Sequence, residues 1–203
     1  MSTIKLHYWP VKARTHAIKA VCQAGGLQFE EVNSGDMSAI KEQLPFGQLP
    51  FMEDGDVKLA QSHAILRYCA RKAGLSGDTD AEFALSEMLI EESADLFTMM
   101  GKANYAEDKP KAYTDLFAPE GPMAKHMQCL EKLLPGGASP FFKAGDKRLA
   151  GGVAIAATLD IAVALEPTLL DATPKLKAFF DAMMASPAFG NGLRDVGMYF
   201  ARA

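Results

Sequence analysis

The sequence lacks the features that would suit a nucleic-acid ligand or a membrane span. Its 203 residues carry a net charge of −4, with 21 basic and 25 acidic side chains interspersed, so no basic stripe is available to neutralise phosphates. No apolar run approaches the roughly 18 residues that a span requires, and the first residues lack the apolar stretch of a secretion signal. We therefore expect no nucleic-acid partner and no membrane partner.

Cysteine is also scarce, with three residues at Cys22, Cys69 and Cys129. An odd number of widely spaced cysteines is atypical of a disulfide framework. Each lies within an apolar helical pattern, which predicts reduced core thiols and a cytoplasmic location. An oxidoreductase that uses Cys22 is a distant alternative, because neither Cys22 nor Cys69 lies at a helix start, where a thiolate is stabilised.

Strand and helix patterns alternate in the first 77 residues. Ile4, Leu6 and Tyr8 recur with the period of two that is typical of a strand. The later patterns predict a helix over 14–24, a strand around 31–32, a short helical stretch over 38–43, a hairpin of 51–53 and 57–59 around Asp54-Gly55, and a helix over 62–72. This order, β-α-β and then β-β-α, predicts a compact α/β domain. Ser62 is expected to cap its helix, and Gly74 to end it.

No convincing strand pattern follows residue 77. Thr79 and Glu82 form a capping box at the start of a helix of about 25 residues, and further helices are predicted over 122–134, 157–166 and 173–185. The nearly uncharged segment 149–165 predicts a buried central helix, in which Asp160 is expected to bond backbone N–H groups at the helix start. We predict a domain of residues 1–77, a linker of 78–82 and an all-helical domain of 83–203.

Two polar features flank the predicted hairpin. Gln48-Leu49-Pro50 leads into it, and a cis bond before Pro50 would turn the Leu49 backbone outward to pair with an extended peptide. Gln61-Ser62 opens the following helix, whose first N–H groups favour an anion such as a carboxylate. An ordinary turn and simple helix capping are the alternatives. Together the two features indicate a slot for a peptide with a carboxylate at one end.

These residues carry a resemblance to a known family. The stretch FGQLPFMEDGDVKLAQSHAILRY, residues 46–68, resembles the glutathione-binding hairpin of cytosolic glutathione transferases. The stretch KLHYW, followed by Arg14, resembles their Tyr-type members, especially the sigma class of prostaglandin D synthases and S-crystallins. The resemblance implies a thioredoxin-like N-terminal domain followed by an all-helical domain. It also implies glutathione as co-substrate, no metal, and a homodimer.

The resemblance also assigns roles to individual residues. It implies that the Tyr8 hydroxyl donates a hydrogen bond to the glutathione sulfur and favours the thiolate, with Arg14 supporting the pair. The remaining glutathione-binding residues that it implies are Lys41 and Gln48 near the glycyl end, Leu49 with Pro50 at the cysteinyl backbone, Gln61 and Ser62 at the γ-glutamyl carboxylate, and Asp95 reaching across the dimer. Taken without the resemblance, Tyr8 is an ordinary strand-end aromatic, Arg14 a solvent-facing charge, and Asp95 an exposed acid.

Two positions depart from the family pattern. Met37 stands where sigma members often have a tryptophan over the glycyl end, and it cannot donate an indole hydrogen bond. Ala157 stands where a serine or threonine would cap the helix of Asp160.

The electrophile site is expected above Tyr8, lined by Trp9, Met99, Tyr105 and Tyr199. Such methionine and aromatic side chains suit broad apolar electrophiles, although the same residues are more often part of a plain core. The sequence thus predicts an enzyme that conjugates or isomerises apolar electrophiles through glutathione. A non-catalytic, ligand-binding or crystallin-type relative is the alternative.

Overall fold

The computed structural model describes residues 3–34, 36–134, 143–144, 147–190, 192–193 and 195–202. The N-terminal part contains β1 (Ile4–Tyr8), α1 (His16–Ala24), β2 (Phe29–Asn33), β3 (Phe51–Asp54), β4 (Val57–Ala60) and α2 (Ser62–Ala73). The C-terminal part contains α3 (Asp80–Asn104), α4 (Lys109–Leu116), α5 (Pro122–Leu133), β5 (Lys143–Ala144), β6 (Lys147–Arg148), α6 (Ala150–Leu165) and α7 (Pro174–Met184). Short 3-10 turns cover Met37–Ala39, Lys41–Gln43 and Pro187–Phe189.

The N-terminal sheet has four strands in the order β2-β1-β3-β4. β1 runs parallel to β2 and antiparallel to β3, and β3 forms the predicted hairpin with β4. β1 is an inner strand of the sheet, between β2 and β3, and its side chains Ile4 and Leu6 are buried. Tyr8 ends this strand opposite Asn33, so the sheet places its side chain at an edge of the domain, beside the loops that follow.

The ends of α1 and α2 differ in detail from the sequence prediction. Gly55 at the hairpin turn and Gly74 after α2 both adopt the predicted positive φ, and the Gly74 amide bonds the Arg71 carbonyl. Gln61, with φ 73°, and not Ser62, occupies the cap position of α2. The chain turns at Gln61 as it leaves β4, so Ser62 is already helical. α1 likewise begins at His16, two residues after the predicted start.

The capping box at the start of α3 is confirmed, with Thr79 and Glu82 each bonding the other's backbone amide. α3 begins at Asp80, so the last three residues of the predicted linker are helical, and the domain boundary itself stays a prediction. The expectation that no strand follows residue 77 is wrong, because β5 and β6 pair as a short hairpin. The patterns also missed α4, whose eight residues are too few to show a helical period clearly.

The prediction for α6 is wrong in its start and in the role of Asp160. The helix begins at Ala150, so Asp160 lies in its interior and Ala157 is not a cap. The first amides of α6 bond other elements instead: Ala150 N–H donates to the Leu75 carbonyl at 2.8 Å, and Gly151 N–H to the Ser86 hydroxyl at 3.0 Å. Neighbouring segments therefore supply the capping groups that a local serine or threonine usually provides.

The three cysteines are free, as expected, but only two lie in the core. Cys22 in α1 and Cys69 in α2 are fully buried, and a hydrogen bond with Cys69, together with burial, raises the pKa of the Cys22 thiol well above its ordinary value. Such a thiol stays protonated and is a poor nucleophile. Cys129 is exposed on α5, which corrects the prediction of a third core thiol.

A membrane-spanning helix is not found in the part of the chain that the structure describes, where each helix is too short or too polar to cross a bilayer. The core of the C-terminal part is built around α6, of which nearly every residue is buried. α6 packs chiefly against α3 and also against α1. The interface between the two parts therefore runs along α6, which contacts α1 in the N-terminal part.

Candidate active site

Tyr8 is the residue on which the site is centred. Its side chain is half-buried at the end of β1, with the Trp9 ring edge-on at 5.2 Å. Burial raises the pKa of Tyr8, and a hydrogen bond from the Arg14 backbone together with the guanidinium charge opposes that shift only in part. The phenol therefore keeps its proton at neutral pH and can donate it in a hydrogen bond.

Arg14 lies in the loop between β1 and α1. Its guanidinium carbon sits 5.1 Å from the centre of the Phe97 ring on α3, a cation–π contact between the two parts of the chain. The side chain is exposed, yet this contact fixes its direction. Arg14 lines both of the cavities that meet beside Tyr8.

The first cavity is a cleft of about 400 Å³ beside the hairpin. It brings together Gln48, Leu49, Pro50, Gln61 and Ser62, which are five of the residues predicted to bind glutathione. Its other lining residues are Trp9, Arg14, Met37, Phe46, Gly47 and Ala60. Met37 therefore lines the cleft, where the family resemblance places it in the position of a tryptophan.

Two backbone features shape this cleft. The Leu49-Pro50 peptide bond is cis, the form considered for this position. In the described part of the chain, the Leu49 amide and carbonyl make no hydrogen bond. At the opposite wall, the buried Ser62 begins α2, whose first amides lack helical carbonyl partners. The cleft therefore offers backbone groups for an extended peptide and a helix N-terminus for a carboxylate.

The second cavity, of about 910 Å³, lies between the sheet and α3. Phe97, Gly101 and Tyr105 line it from α3, and Tyr199 and Phe200 line it from the C-terminal segment. Its remaining lining residues are Tyr8, Trp9, Val11, Ala13, Arg14, Leu49, Thr98 and Lys102. Most of these walls are apolar, so the cavity suits an apolar molecule that meets the Tyr8 hydroxyl.

Apart from Tyr105, which was expected here, sequence reasoning missed the residues of α3 that form one side of this cavity: Phe97, Thr98, Gly101 and Lys102. Phe97, Gly101 and Tyr105 are spaced by four, as are Thr98 and Lys102, so they share one helical face. That spacing was the available signal. It was hidden because the same face also carries the regular apolar pattern expected of a helix in the core.

Two tyrosines meet across the mouth of the second cavity. The hydroxyl of Tyr105, at the end of α3, hydrogen-bonds that of Tyr199, and both side chains are substantially exposed. The adjacent Phe200 is buried, and its ring lies 5.1 Å from that of Phe97. Trp9, Tyr105 and Tyr199 are thus where the sequence placed them, around an opening above Tyr8.

Three predicted site residues lie outside the two cavities. Met99 packs against the hydrophobic core and does not line the second cavity, because it lies on a different face of α3 from Phe97 and Gly101. Lys41 is exposed in its 3-10 turn and is not among the residues that line the cleft. Asp95 is exposed on α3, also away from the cleft.

A buried polar cluster lies behind the site, formed by Lys12, His16 and Asp160. Lys12 Nζ and His16 Nε2 each lie 2.9 Å from Asp160 Oδ2. Burial by itself raises the pKa of Asp160, but the hydrogen bonds from His16 and Lys12 lower the pKa overall, so the carboxylate stays ionised. Burial lowers the pKa of His16, so this ring is neutral at pH 7.

Among the residues that the structure describes, no group of three or more histidine, cysteine or acidic side chains is arranged to hold a metal ion. The chemistry available at the two cavities comes from the phenol of Tyr8, the guanidinium of Arg14, the hydroxyl of Ser62 and backbone groups. Such a set can bind an extended peptide-like molecule and stabilise an anionic atom beside an apolar space.

Comparison with known proteins shows what the chain is similar to in sequence. The family model described as "Glutathione S-transferase, N-terminal domain" matches residues 2–71. A curated relative, "Glutathione S-transferase" of Dirofilaria immitis, is 34% identical over 90% of this chain and 88% of its own. Another, "Hematopoietic prostaglandin D synthase" of Gallus gallus, is 31% identical over 60% of this chain and 63% of its own.

A solved structure shows the same architecture. The Pi-class glutathione S-transferase of Onchocerca volvulus superposes with a TM-score of 0.79, at 30% identity, over 93% of this chain and 90% of that one. This likeness confirms the predicted fold class, a thioredoxin-like N-terminal domain followed by a helical one. The second domain was predicted to be all-helical and is mostly helical, because it also contains the short strands β5 and β6.

Proposed function

The chain belongs to the glutathione S-transferase family and is a glutathione transferase, and from that premise we propose that Tyr8 activates the glutathione thiol for attack on apolar electrophiles. The observation that carries this proposal is that Tyr8 lines the larger cavity next to Trp9, Arg14 and Leu49, the three residues that line both the cleft and the larger cavity. A thiol held beside these residues faces an apolar space of about 910 Å³. The larger cavity is then the electrophile cavity, and the smaller one the glutathione cleft.

The proposed role of Tyr8 is that of a hydrogen-bond donor. Since burial holds its pKa above the ordinary value, the phenol is protonated and can donate to the sulfur, which favours thiolate over thiol. Arg14 adds a positive charge at the same place. Each unit by which the thiol pKa falls corresponds to about 1.4 kcal/mol of preferential stabilisation of the thiolate. The thiol proton leaves to solvent, and the thiolate then forms the new carbon–sulfur bond. In a substitution the leaving group departs with the electron pair of its bond to carbon, as chloride does from an aryl chloride; in an addition the π electron pair moves onto the electrophile, which takes a proton from solvent.

Glutathione is proposed to lie extended in the cleft. The Leu49 backbone, before Pro50, pairs with the cysteinyl unit, and the start of α2 at Gln61 and Ser62 receives the γ-glutamyl carboxylate. Gln48 and Lys41 serve the glycyl end, with Met37 packing there in place of an aromatic ring. No metal takes part in this scheme.

A homodimer is proposed as the active form. Phe46, Phe83 and Met88 are large apolar side chains that are about half exposed or more, and cover by a second copy of the chain would remove them from water. Asp95 lies on the same helix as Phe83 and Met88. It is proposed to reach the γ-glutamyl group of the other subunit.

The finer class and the location are also proposals. Similarity to a prostaglandin D synthase supports a sigma-class, Tyr-type assignment, with isomerisation as a second reaction of the same thiolate. A cytoplasmic location suits three free cysteines, one of them exposed. No observation favours the non-catalytic, crystallin-type alternative.

The decisive experiment compares wild type with Tyr8→Phe. Conjugation of glutathione to 1-chloro-2,4-dinitrobenzene should fall about 10- to 100-fold, because a hydrogen bond to a charged atom contributes about 1.5–3 kcal/mol. The pKa of bound glutathione, followed by thiolate absorbance, should rise in parallel.

Tyr68→Phe is the matched control, because it removes a hydroxyl that bonds Asp54 away from both cavities. It should leave the rate and the thiol pKa unchanged. An unaltered thiol pKa in Tyr8→Phe would exclude Tyr8 as the activating group.

A further inference from the structure

The C-terminal segment, residues 196–202, forms one wall of the electrophile cavity through Tyr199 and Phe200. One end of it is held by the ion pair of Arg202 with Glu166, the residue after α6, and the other end is bonded to the backbone of Lys12, whose side chain pairs with Asp160 of α6. We propose that two pairs outside the cavity, Lys12 with Asp160 and Arg202 with Glu166, position this wall and thereby set which electrophiles fit. This inference rests on the proposed function of the cavity. It makes the four residues positioning residues, which act on the substrate through Tyr199 and Phe200.

The first anchor is Lys12. Its side chain is buried and pairs with Asp160 at 2.9 Å. Its backbone holds the C-terminal segment on both sides of Met198: the Lys12 amide donates to the Gly197 carbonyl at 2.8 Å, and the Tyr199 amide donates to the Lys12 carbonyl at 3.3 Å. The residue that carries the wall is therefore tied to α6 by its own charge.

The second anchor is Arg202. Its guanidinium donates to the Glu166 carboxylate at 2.6 Å and to the Leu165 carbonyl at 3.2 Å, at the end of α6. The same group lies 5.7 Å from the centre of the Phe117 ring. A planar donor with three partners is held in direction as well as position.

The two wall residues lie between these anchors. Phe200 is 3% exposed and packs on Phe97, and Tyr199 bonds Tyr105 across the cavity mouth. The four anchoring residues, Lys12, Asp160, Glu166 and Arg202, are not among the described residues that line the cavity. Any effect of the anchors on electrophile binding must therefore pass through the position of the wall.

The experiment uses Arg202→Ala in the full-length protein, with Arg202→Lys as the conservative variant. Trp9 is the sole tryptophan and lines both cavities, so its fluorescence reports ligand binding. The probes are S-hexylglutathione, whose alkyl chain enters the electrophile cavity, and glutathione alone.

Arg202→Ala should weaken S-hexylglutathione binding about five-fold, which corresponds to about 1 kcal/mol, and leave glutathione binding unchanged. The KM for 1-chloro-2,4-dinitrobenzene should rise by a similar factor while the KM for glutathione does not. Arg202→Lys should recover part of the loss, because it restores the charge opposite Glu166.

Lys177→Ala is the matched control, since it removes an exposed partner of Asp181 on α7. It should leave both affinities unchanged. Equal weakening of both probes in Arg202→Ala, or no weakening of either, would overturn the positioning role. Because the binding readout needs no turnover, an inactive wild type would count against the proposed function while the anchors are still judged by the two affinities.

A second variant protects the test against misfolding at the C-terminus. Lys12→Met keeps the length and apolar stem of the side chain but removes its charge. Where it remains folded by circular dichroism, it should show the same selective loss for S-hexylglutathione. A folded Lys12→Met protein with wild-type affinity for both probes contradicts the first anchor.

Discussion

The glutathione cleft and the electrophile cavity differ in how the chain builds them. Most of the cleft comes from one stretch, residues 46–62, with only a few residues added from elsewhere. The cavity draws its walls from the end of β1, from α3 and from the C-terminal segment. A site made by one stretch is specified by local rules of turns and helix ends. A site made by three distant segments depends on how they pack.

Asp160→Ala gives the largest expected effect and tests whether the cavity depends on that packing. The substitution leaves the buried Lys12 ammonium without its carboxylate. Breaking a buried pair in this way costs about 3–5 kcal/mol, and we expect the free energy of unfolding, measured with urea, to fall by about that amount.

Asp115→Ala is the control for that comparison. Asp115 pairs with Lys111 on the surface of α4, where solvent screens the charges, so no measurable change is expected. Equal stability of Asp160→Ala and wild type would show that the Lys12 cluster does not hold the two parts together.

Ser62→Ala tests the glutathione cleft, because Ser62 lines the cleft and does not line the electrophile cavity. Loss of the hydroxyl that is proposed to meet the γ-glutamyl carboxylate should raise the KM for glutathione about ten-fold, or about 1.4 kcal/mol. The KM for the electrophile should not change, and Ser76→Ala, outside both cavities, should change neither. A parallel rise in both KM values would mean that the cleft and the cavity are not separate sites.

Tyr105→Phe should have a smaller effect, confined to the cavity. It removes the hydroxyl that bonds Tyr199 at an exposed mouth, where a hydrogen bond to a neutral group adds little. We expect about a two-fold rise in the KM for 1-chloro-2,4-dinitrobenzene, with no change for glutathione. A ten-fold rise would instead indicate that this phenol contacts the electrophile during the reaction.

The smallest expected effect is a gradual pH dependence of the free energy of unfolding, which arises from two histidines, His16 and His63. Burial lowers the pKa of both His16 and His63 in the folded protein. As pH falls below about 6.5, the unfolded chain binds protons on these rings that the folded chain does not. The free energy of unfolding should therefore decrease from pH 7.5 to 5.5, when measured with urea at each pH.

His16→Gln should flatten that dependence, because the glutamine amide can still donate to Asp160 but does not titrate. A slope equal to that of wild type would exclude His16 as one of the groups responsible. The comparison needs no activity, so it stands apart from the tests of the two cavities.

The sequence predicted the parts of the molecule that short-range chemistry specifies. The Asp54-Gly55 turn, the Gly74 helix end and the capping box of Thr79 and Glu82 each rest on residues within a few positions of one another. For the same reason the two polar features that flank the hairpin, at Gln48-Leu49-Pro50 and Gln61-Ser62, could be recognised from the sequence, while the proposal that they bind glutathione came from the family resemblance. Two of the failures were local as well: at Gln61 the turn out of β4 moved the cap by one residue, and α4 was too short for its period to be seen.

By itself, then, the sequence determined the order of the elements in the N-terminal part and five of the residues that meet in the cleft, because these depend on neighbours along the chain. Only the tertiary structure decided where α6 begins, which face of α3 lines the cavity, and that Lys12 pairs with Asp160, 148 residues away. Partners so far apart leave no local pattern. They are selected by the burial of α6, which removes water as a partner and makes each remaining polar group find one within the protein.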